Sequence, residues 1–171
     1  MKKIIIFLFF VHIVNPVFSQ TNDKKEIKQV LTTFMDCLEK KDSIKFYNLF
    51  HKEPVVWVGV TQEKSYKDEL KKDSTAKDNF SDSYKEFYRN FYKNNIEEKF
   101  YNVQIAEDGY IANVIFDYSF WFKGKKLNWG KENWGLIKTE GHWKITSVIF
   151  SIEYEAINPE PQNKYYKKQR N

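Results

Sequence analysis

Two carboxylates set inside strand-like runs are the residues of this 171-residue chain best suited to chemistry. Asp117 lies in the run 110–122 and Glu132 in the run 127–138. If the two face inward together, adjacent carboxyl groups raise one pKa and supply a general base. Tyr118 adds a hydroxyl that can donate to an oxyanion. Other reactive types are sparse. Cys37 is the single cysteine, and it falls in a helical pattern where a small buried hydrophobe is expected. An activated thiol needs a neighbouring His or cation, and the local sequence offers none. His51 and His142 stand apart, without the ligand cluster that a metal site requires. No glycine-rich phosphate loop and no G-x-S-x-G elbow occurs, so neither metal nor cofactor is expected.

Strand register decides where the carboxylates point. Around a turn at Gly124-Lys125, an unbulged pairing sets Asp117 opposite Glu132 and Ile115 opposite Trp134. A single bulge near Gly130 instead aligns the face of Phe116, Tyr118 and Phe120 with Trp134. A slip of one residue flips every side chain, and the unbroken apolar alternation from Ala112 to Phe122 favours the bulged pairing. That pairing is expected to leave both carboxylates on the outer face. Around Glu140-Gly141, Leu136 is read opposite Ile145 and Trp134 opposite Ser147.

The elements that must position these residues follow from periodicity. Ile27, Val30, Leu31, Phe34 and Leu38 recur at helical spacing over 23–40, with Asp23 as N-cap and Glu26 completing a capping-box pattern. A second short helix restarts at Asp42-Ser43 and stops before Pro54. The β-branched and aromatic run 55–60 is a strand. The charged stretch 61–77 reads as a loop with a helical turn, a flap over whatever it borders. Phe80, Tyr84, Phe87, Tyr88 and Phe91 share one face of a helix over 80–94, capped by Ser81 or Ser83. A half-buried strand alternating Tyr101, Val103 and Ile105 follows, then an Asp108-Gly109 turn. Three further strands, 110–122, 127–138 and 143–153, carry four of the chain's five Trp.

Lys2 and Lys3, the apolar run 4–14 and the small-residue site at Ser19 make the three parts of a secretory signal peptide. The apolar run is shorter than the roughly 20 residues of a membrane span. The expected organisation is a signal peptide over 1–19, one domain over 20–157 and a charged flexible tail over 158–171. The product is exported, periplasmic or secreted, with no membrane attachment once the signal is removed. Lys and Arg number 28 against 23 Asp and Glu; without Lys2 and Lys3 the excess is about +3, much of it in the tail. Nucleic acid is not implied, since phosphate binding needs a clustered basic face. With one cysteine there is no internal disulfide, so packing alone must hold the domain.

A helix pair, a strand, a helix and four consecutive antiparallel strands resemble the nuclear transport factor 2-like superfamily. Within it the nearest likeness is to SnoaL-like and DUF4440-like bacterial proteins. Ile111-Ala112-Asn113-Val114, Gly141-His142-Trp143-Lys144-Ile145 and Ser151 carry the resemblance, which runs from about Lys24 to Glu153. It implies an α+β cone, a curved antiparallel sheet wrapped around three helices, with an apolar pocket open at one end. Gly130 and Gly135 are the candidate bend points. Enzymes of that superfamily isomerise, dehydrate or cyclise small apolar substrates with an Asp or His base. Many members carry His on the last strand; here that stretch is Ser147-Val148-Ile149-Phe150-Ser151, without one.

Three functions follow. The first is a pocket for a small apolar ligand, lined by Trp57, Tyr118, Trp134, Trp143 and Ser147. The second is an isomerase-, cyclase- or dehydratase-like enzyme using Asp117 or Glu132. The third is a homodimerising module that docks through exposed Trp121 and Trp129 on the outer sheet face.

Overall fold

The computed structural model describes residues 17–52, 54–93 and 96–161. Helix α1, Val17–Lys40, turns at Lys41 (φ 57°) into α2, Ser43–Tyr47. Asp42 Oδ1 caps α2 by accepting from the Lys45 amide at 3.0 Å, satisfying one of its orphan donors. The predicted stripe of α1 is the buried one: Ile27, Leu31, Phe34 and Leu38 all enter the core. Asp23 is not the N-cap, because the helix starts six residues earlier, ahead of the processing point expected after Ser19. Its buried carboxylate instead accepts from Lys138 Nζ at 2.5 Å and from Trp143 Nε1 at 3.2 Å, tying α1 to the sheet. Most of the predicted signal peptide, residues 1–16, lies outside the described residues.

Strand β1, Val56–Thr61, leads into α3, Glu63–Lys72, a three-turn helix where a charged loop was expected. Its anchor is Ser65, fully buried, whose hydroxyl donates to Glu153 Oε1 at 2.8 Å and accepts the Tyr154 amide. With Tyr154 Oη donating to Glu69 and Lys64 Nζ donating to Asn158 Oδ1 at 2.9 Å, this polar attachment replaces the apolar stripe which would have announced the helix. Phe80 does not join the next helix but sits in β2, Asn79–Ser81, paired with β1. Helix α4, Tyr84–Lys93, then begins with the Ser83 hydroxyl accepting the Glu86 amide at 3.2 Å. Tyr84, Tyr88 and Phe91 of α4 are buried.

Four long strands complete the sheet: β3, Ile96–Glu107; β4, Ile111–Phe122; β5, Lys125–Thr139; and β6, His142–Tyr154. They form a meander, and the sheet order is β2-β1-β6-β5-β4-β3. β1 runs parallel to β6, so the sheet is mostly rather than wholly antiparallel. No hairpin joins that pair, and nothing local constrains its direction. Lys123-Gly124 and Glu140-Gly141 both have positive φ at the two turn positions (48° and 74°, 52° and 76°), the backbone of tight hairpins.

Bulges set the faces. Between β4 and β5 the register shifts at Leu127, where Phe120 pairs with Asn128 but Trp121 with Lys126. The bulge is thus present, three residues before its expected place at Gly130, and it sets Val114 opposite Trp134, Phe116 opposite Glu132 and Asp117 opposite Lys131. Between β5 and β6, Leu136 pairs with Ile145 as expected, but a shift at Thr146 places Trp134 opposite Val148 and turns Ser147 towards Gly135. Asn102 (φ 54°) marks a third irregularity, between β3 and β4. It places Phe100 rather than Tyr101 in the core, and Val103 is exposed. The inward rows of β3 and β5 then close on Phe34, with Trp134 at 4.8 Å between ring centres and Phe100 at 6.0 Å.

Candidate functional site

A cavity of about 180 Å³ opens on the concave side of the sheet. Its walls are aromatic: Trp57 from β1, Phe80 from β2, Phe87 from α4, Tyr118 and Phe120 from β4, and Phe150 from β6. Trp57 packs against Phe87 at 4.9 Å and against Phe150 at 6.2 Å, edge to face. Such contacts fix ring planes as well as bury area. Asp82, Asn128, Glu98 and Glu132 supply the polar groups.

The floor is a pair of glutamates. Glu98 of β3 and Glu132 of β5 both project inward across β4, and their carboxyl groups lie within hydrogen-bonding reach of each other. Both are buried, 5% and 6% exposed. Two carboxylates removed from water at that range cannot both ionise at neutral pH. Burial and the adjacent Glu132 charge push Glu98 well above the usual carboxylate range. Burial also raises Glu132, to about 7, although hydrogen bonds from Trp134 and Glu98 favour its charged form. Once Glu132 has ionised, above about pH 7, the pair keeps one proton, on Glu98, which donates it to the Glu132 carboxylate. Trp134 Nε1 donates to Glu132 Oε2 at 2.6 Å. Glu98 Oε2 is buried and accepts from no group of the protein among the described residues.

Tyr118 forms the side wall. Its hydroxyl donates to the Ser151 carbonyl at 3.0 Å, and burial with the two glutamates raises its pKa well above the ordinary value. The ring lies over Gly130, where an added Cβ would fall 1.8 Å from the Ser151 carbonyl oxygen and 2.9 Å from the Tyr118 ring. Glycine is thus required there for close approach rather than for a bulge.

Of the residues singled out from the sequence, Trp57, Tyr118 and Glu132 meet at this cavity. Glu132 faces inward, against the expectation that the bulge would leave it outside. Asp117 does lie on the outer face, where it accepts from Lys131 Nζ at 2.8 Å and Asn102 Nδ2 at 2.8 Å. It takes no part in the pocket. Trp134 is not a wall: it is fully buried behind the cavity and orients Glu132. Trp143 borders a separate, shallow depression beside Glu26 and His142. Ser147 accepts the Gly135 amide at 3.2 Å, on the face opposite the cavity, because of the Thr146 bulge. Glu98 was missed. Its signal is the alternation Ile96, Glu98, Phe100, which places one carboxylate in an inward row.

The outer face is covered where docking was expected. Trp129 is buried and donates from Nε1 to the Asn158 carbonyl at 2.9 Å. Glu160, also buried, accepts from Tyr101 Oη and from Lys126 Nζ, the latter at 2.8 Å. Trp121 is half-buried between Lys99 and Lys126, each over its ring at 4.3 and 5.2 Å. The first residues of the predicted tail are therefore part of the domain's surface, and Trp129 is no exposed anchor.

Neither a family model nor a curated protein matches the sequence. Solved structures do match the fold. A protein of unknown function with a cystatin-like fold from Nostoc punctiforme aligns over 77% of this chain and 92% of its own, at 14% identity and a TM-score of 0.55. An NTF2-like protein of unknown function from Pseudomonas putida aligns over 77% and 87%, at 12% identity and 0.57. A provisionally named scytalone dehydratase from Novosphingobium aromaticivorans aligns over 80% and 88%, at 13% identity and 0.59.

Proposed function

From the NTF2-like, cystatin-like fold as premise, we propose that this chain is an exported domain that holds one small, largely apolar molecule in its aromatic pocket. The observation that carries the reading is the cavity beside the Glu98–Glu132 pair. Aromatic walls with a few converging polar groups are the usual make-up of a small-molecule site. Its 180 Å³ is close to the size of cavities known to admit benzene, so the ligand is about one ring across. Export rests on Lys2, Lys3 and the apolar run that follows. Thermal-shift titration with single-ring compounds tests the pocket. Saturable stabilisation by at least one is expected, and Trp57→Ala should abolish it while the protein stays folded. No stabilisation by any member of the panel sinks the reading.

A second reading is favoured by the same pair. A carboxyl group near pH 7 beside a protonated one is equipped for general acid–base catalysis, and the matched dehydratase-named structure makes a proton-transfer reaction the natural class. Glu132 would remove a proton from a carbon acid, and Glu98 would donate to the oxygen that gains charge. Single-ring ketones in deuterated water provide the assay. Accelerated exchange of α-hydrogens by the wild type and not by Glu132→Gln supports it; equal rates in both exclude Glu132 as the base.

A further inference from the structure

We infer that the pocket selects an organic cation, a single-ring or similarly compact amine whose ammonium group sits on Glu98 and Glu132. The inference rests on the pocket reading above and names its ligand class. Three carboxylates, Asp82, Glu98 and Glu132, line the cavity, and no Lys, Arg or His does so among the described residues. Glu98, part of this polar floor, has a buried Oε2 that lacks a protein donor among the described residues. A buried acceptor without a partner costs stability until a donor arrives. An ammonium brings up to three donors and a positive charge, so it can serve both carboxylates together.

The walls fit the same charge. Trp57, Phe87 and Phe150 present ring systems around the opening, and aromatic faces attract a desolvated cation. A carboxylate ligand would meet the opposite field at every polar group. A neutral alcohol can satisfy one oxygen but neutralises no charge. The groups around Glu98 on each side agree in sign. Glu132 lies beside it within hydrogen-bonding reach, and Tyr118 and the exposed Asp82 line the same cavity. Glu39 and Glu97 share with it the adjoining cleft between α1, α4 and β3.

Binding must also move a proton. Above about pH 7 the free pair holds one proton between the two carboxyls, and a cation seated against both favours its loss. One proton leaves to solvent as the ammonium enters, so affinity rises with pH through neutrality until the amine itself deprotonates.

Calorimetric titration of the full chain with benzylamine, benzyl alcohol and benzoate separates the possibilities. Benzylamine is expected to bind at least tenfold more tightly than benzyl alcohol at pH 7, with benzoate weakest. Titrations at about pH 8, in buffers of different ionisation enthalpy, should show close to one proton released per amine bound. Glu98→Gln should bring benzylamine within about twofold of benzyl alcohol, while Asp117→Asn, on the outer face, should leave the preference intact. Benzyl alcohol binding to Glu98→Gln verifies that the variant is folded. Equal binding of amine and alcohol by the wild type, or tighter binding of benzoate, overturns the cation assignment and leaves the pocket standing. Failure of all three to bind overturns both.

Discussion

Glu132 ties the pocket to the pH dependence of folding. Its carboxyl holds a proton up to about pH 7 in the folded chain, against an ordinary value of 4.5. The folded state therefore binds more protons than the unfolded state between those limits, and stability must fall as pH rises through that window. The contribution is fully present below pH 4.5 and lost above 7, with Glu98 acting in the same direction. Thermal melts between pH 4.5 and 7.5 should show a declining Tm, and Glu132→Gln should flatten the decline. A Tm that rises across this range in the wild type would contradict an inward, proton-sharing pair. Gly130 is the second residue with a sharp expectation. Any side chain there meets the Ser151 carbonyl, so Gly130→Ala should lose about 3 kcal/mol in chemical denaturation.

Among the elements, α3 is held by a polar attachment instead of an apolar stripe. Ser65→Ala leaves the buried Glu153 carboxylate without its hydroxyl donor, at a cost of about 2–3 kcal/mol. Hydrogen exchange should accelerate in α3 of that variant and leave the β4–β5 ladder protected. The same element marks where the sequence runs out. Periodicity shows α1, α2, β1 and the meander, because their burial repeats every 3.6 or 2 residues. A helix attached through polar contacts of Ser65, Lys64 and Glu69 has no such repeat, and Glu63–Lys72 reads as charged loop. Bulges limit the site in the same way. Val103 and Tyr101 alternate correctly with Ile105 on paper, yet the irregularity at Asn102 reverses their face and hides Glu98. For Glu132 the clue was available, since it stands two residues from Trp134 and shares its face of β5.

For the whole molecule, the chain after β6 acts as a cover. Asn158 and Glu160 close over Trp129 and Lys126, joining the end of the domain to the outside of its own sheet. Truncation after residue 157 removes this cover and leaves Trp129 bare. A Tm lower by about 4–8 °C is expected, corresponding to roughly 2 kcal/mol in a domain of this size. Concentration-dependent self-association should appear in sedimentation, since a large aromatic surface becomes accessible. An unchanged, monomeric truncated chain would show that the cover contributes little. The proposed export is tested at the other end by mass spectrometry of the chain recovered outside the cytoplasm, where Gln20 is expected as the first residue; an intact Met1 there would exclude the processing.

The extra residue at Leu127 has a consequence for how this hairpin can vary by descent. Loss of that codon would remove the bulge yet leave Phe120 opposite Asn128 and Phe116 opposite Glu132, so both faces of β5 are kept. Smoothing the bulge with Leu127 still present would instead set Lys131 opposite Phe116, since a slip of one residue flips every side chain. Chains that differ by one residue in this hairpin can therefore share one pocket floor, and their columns correspond from Asn128 onward.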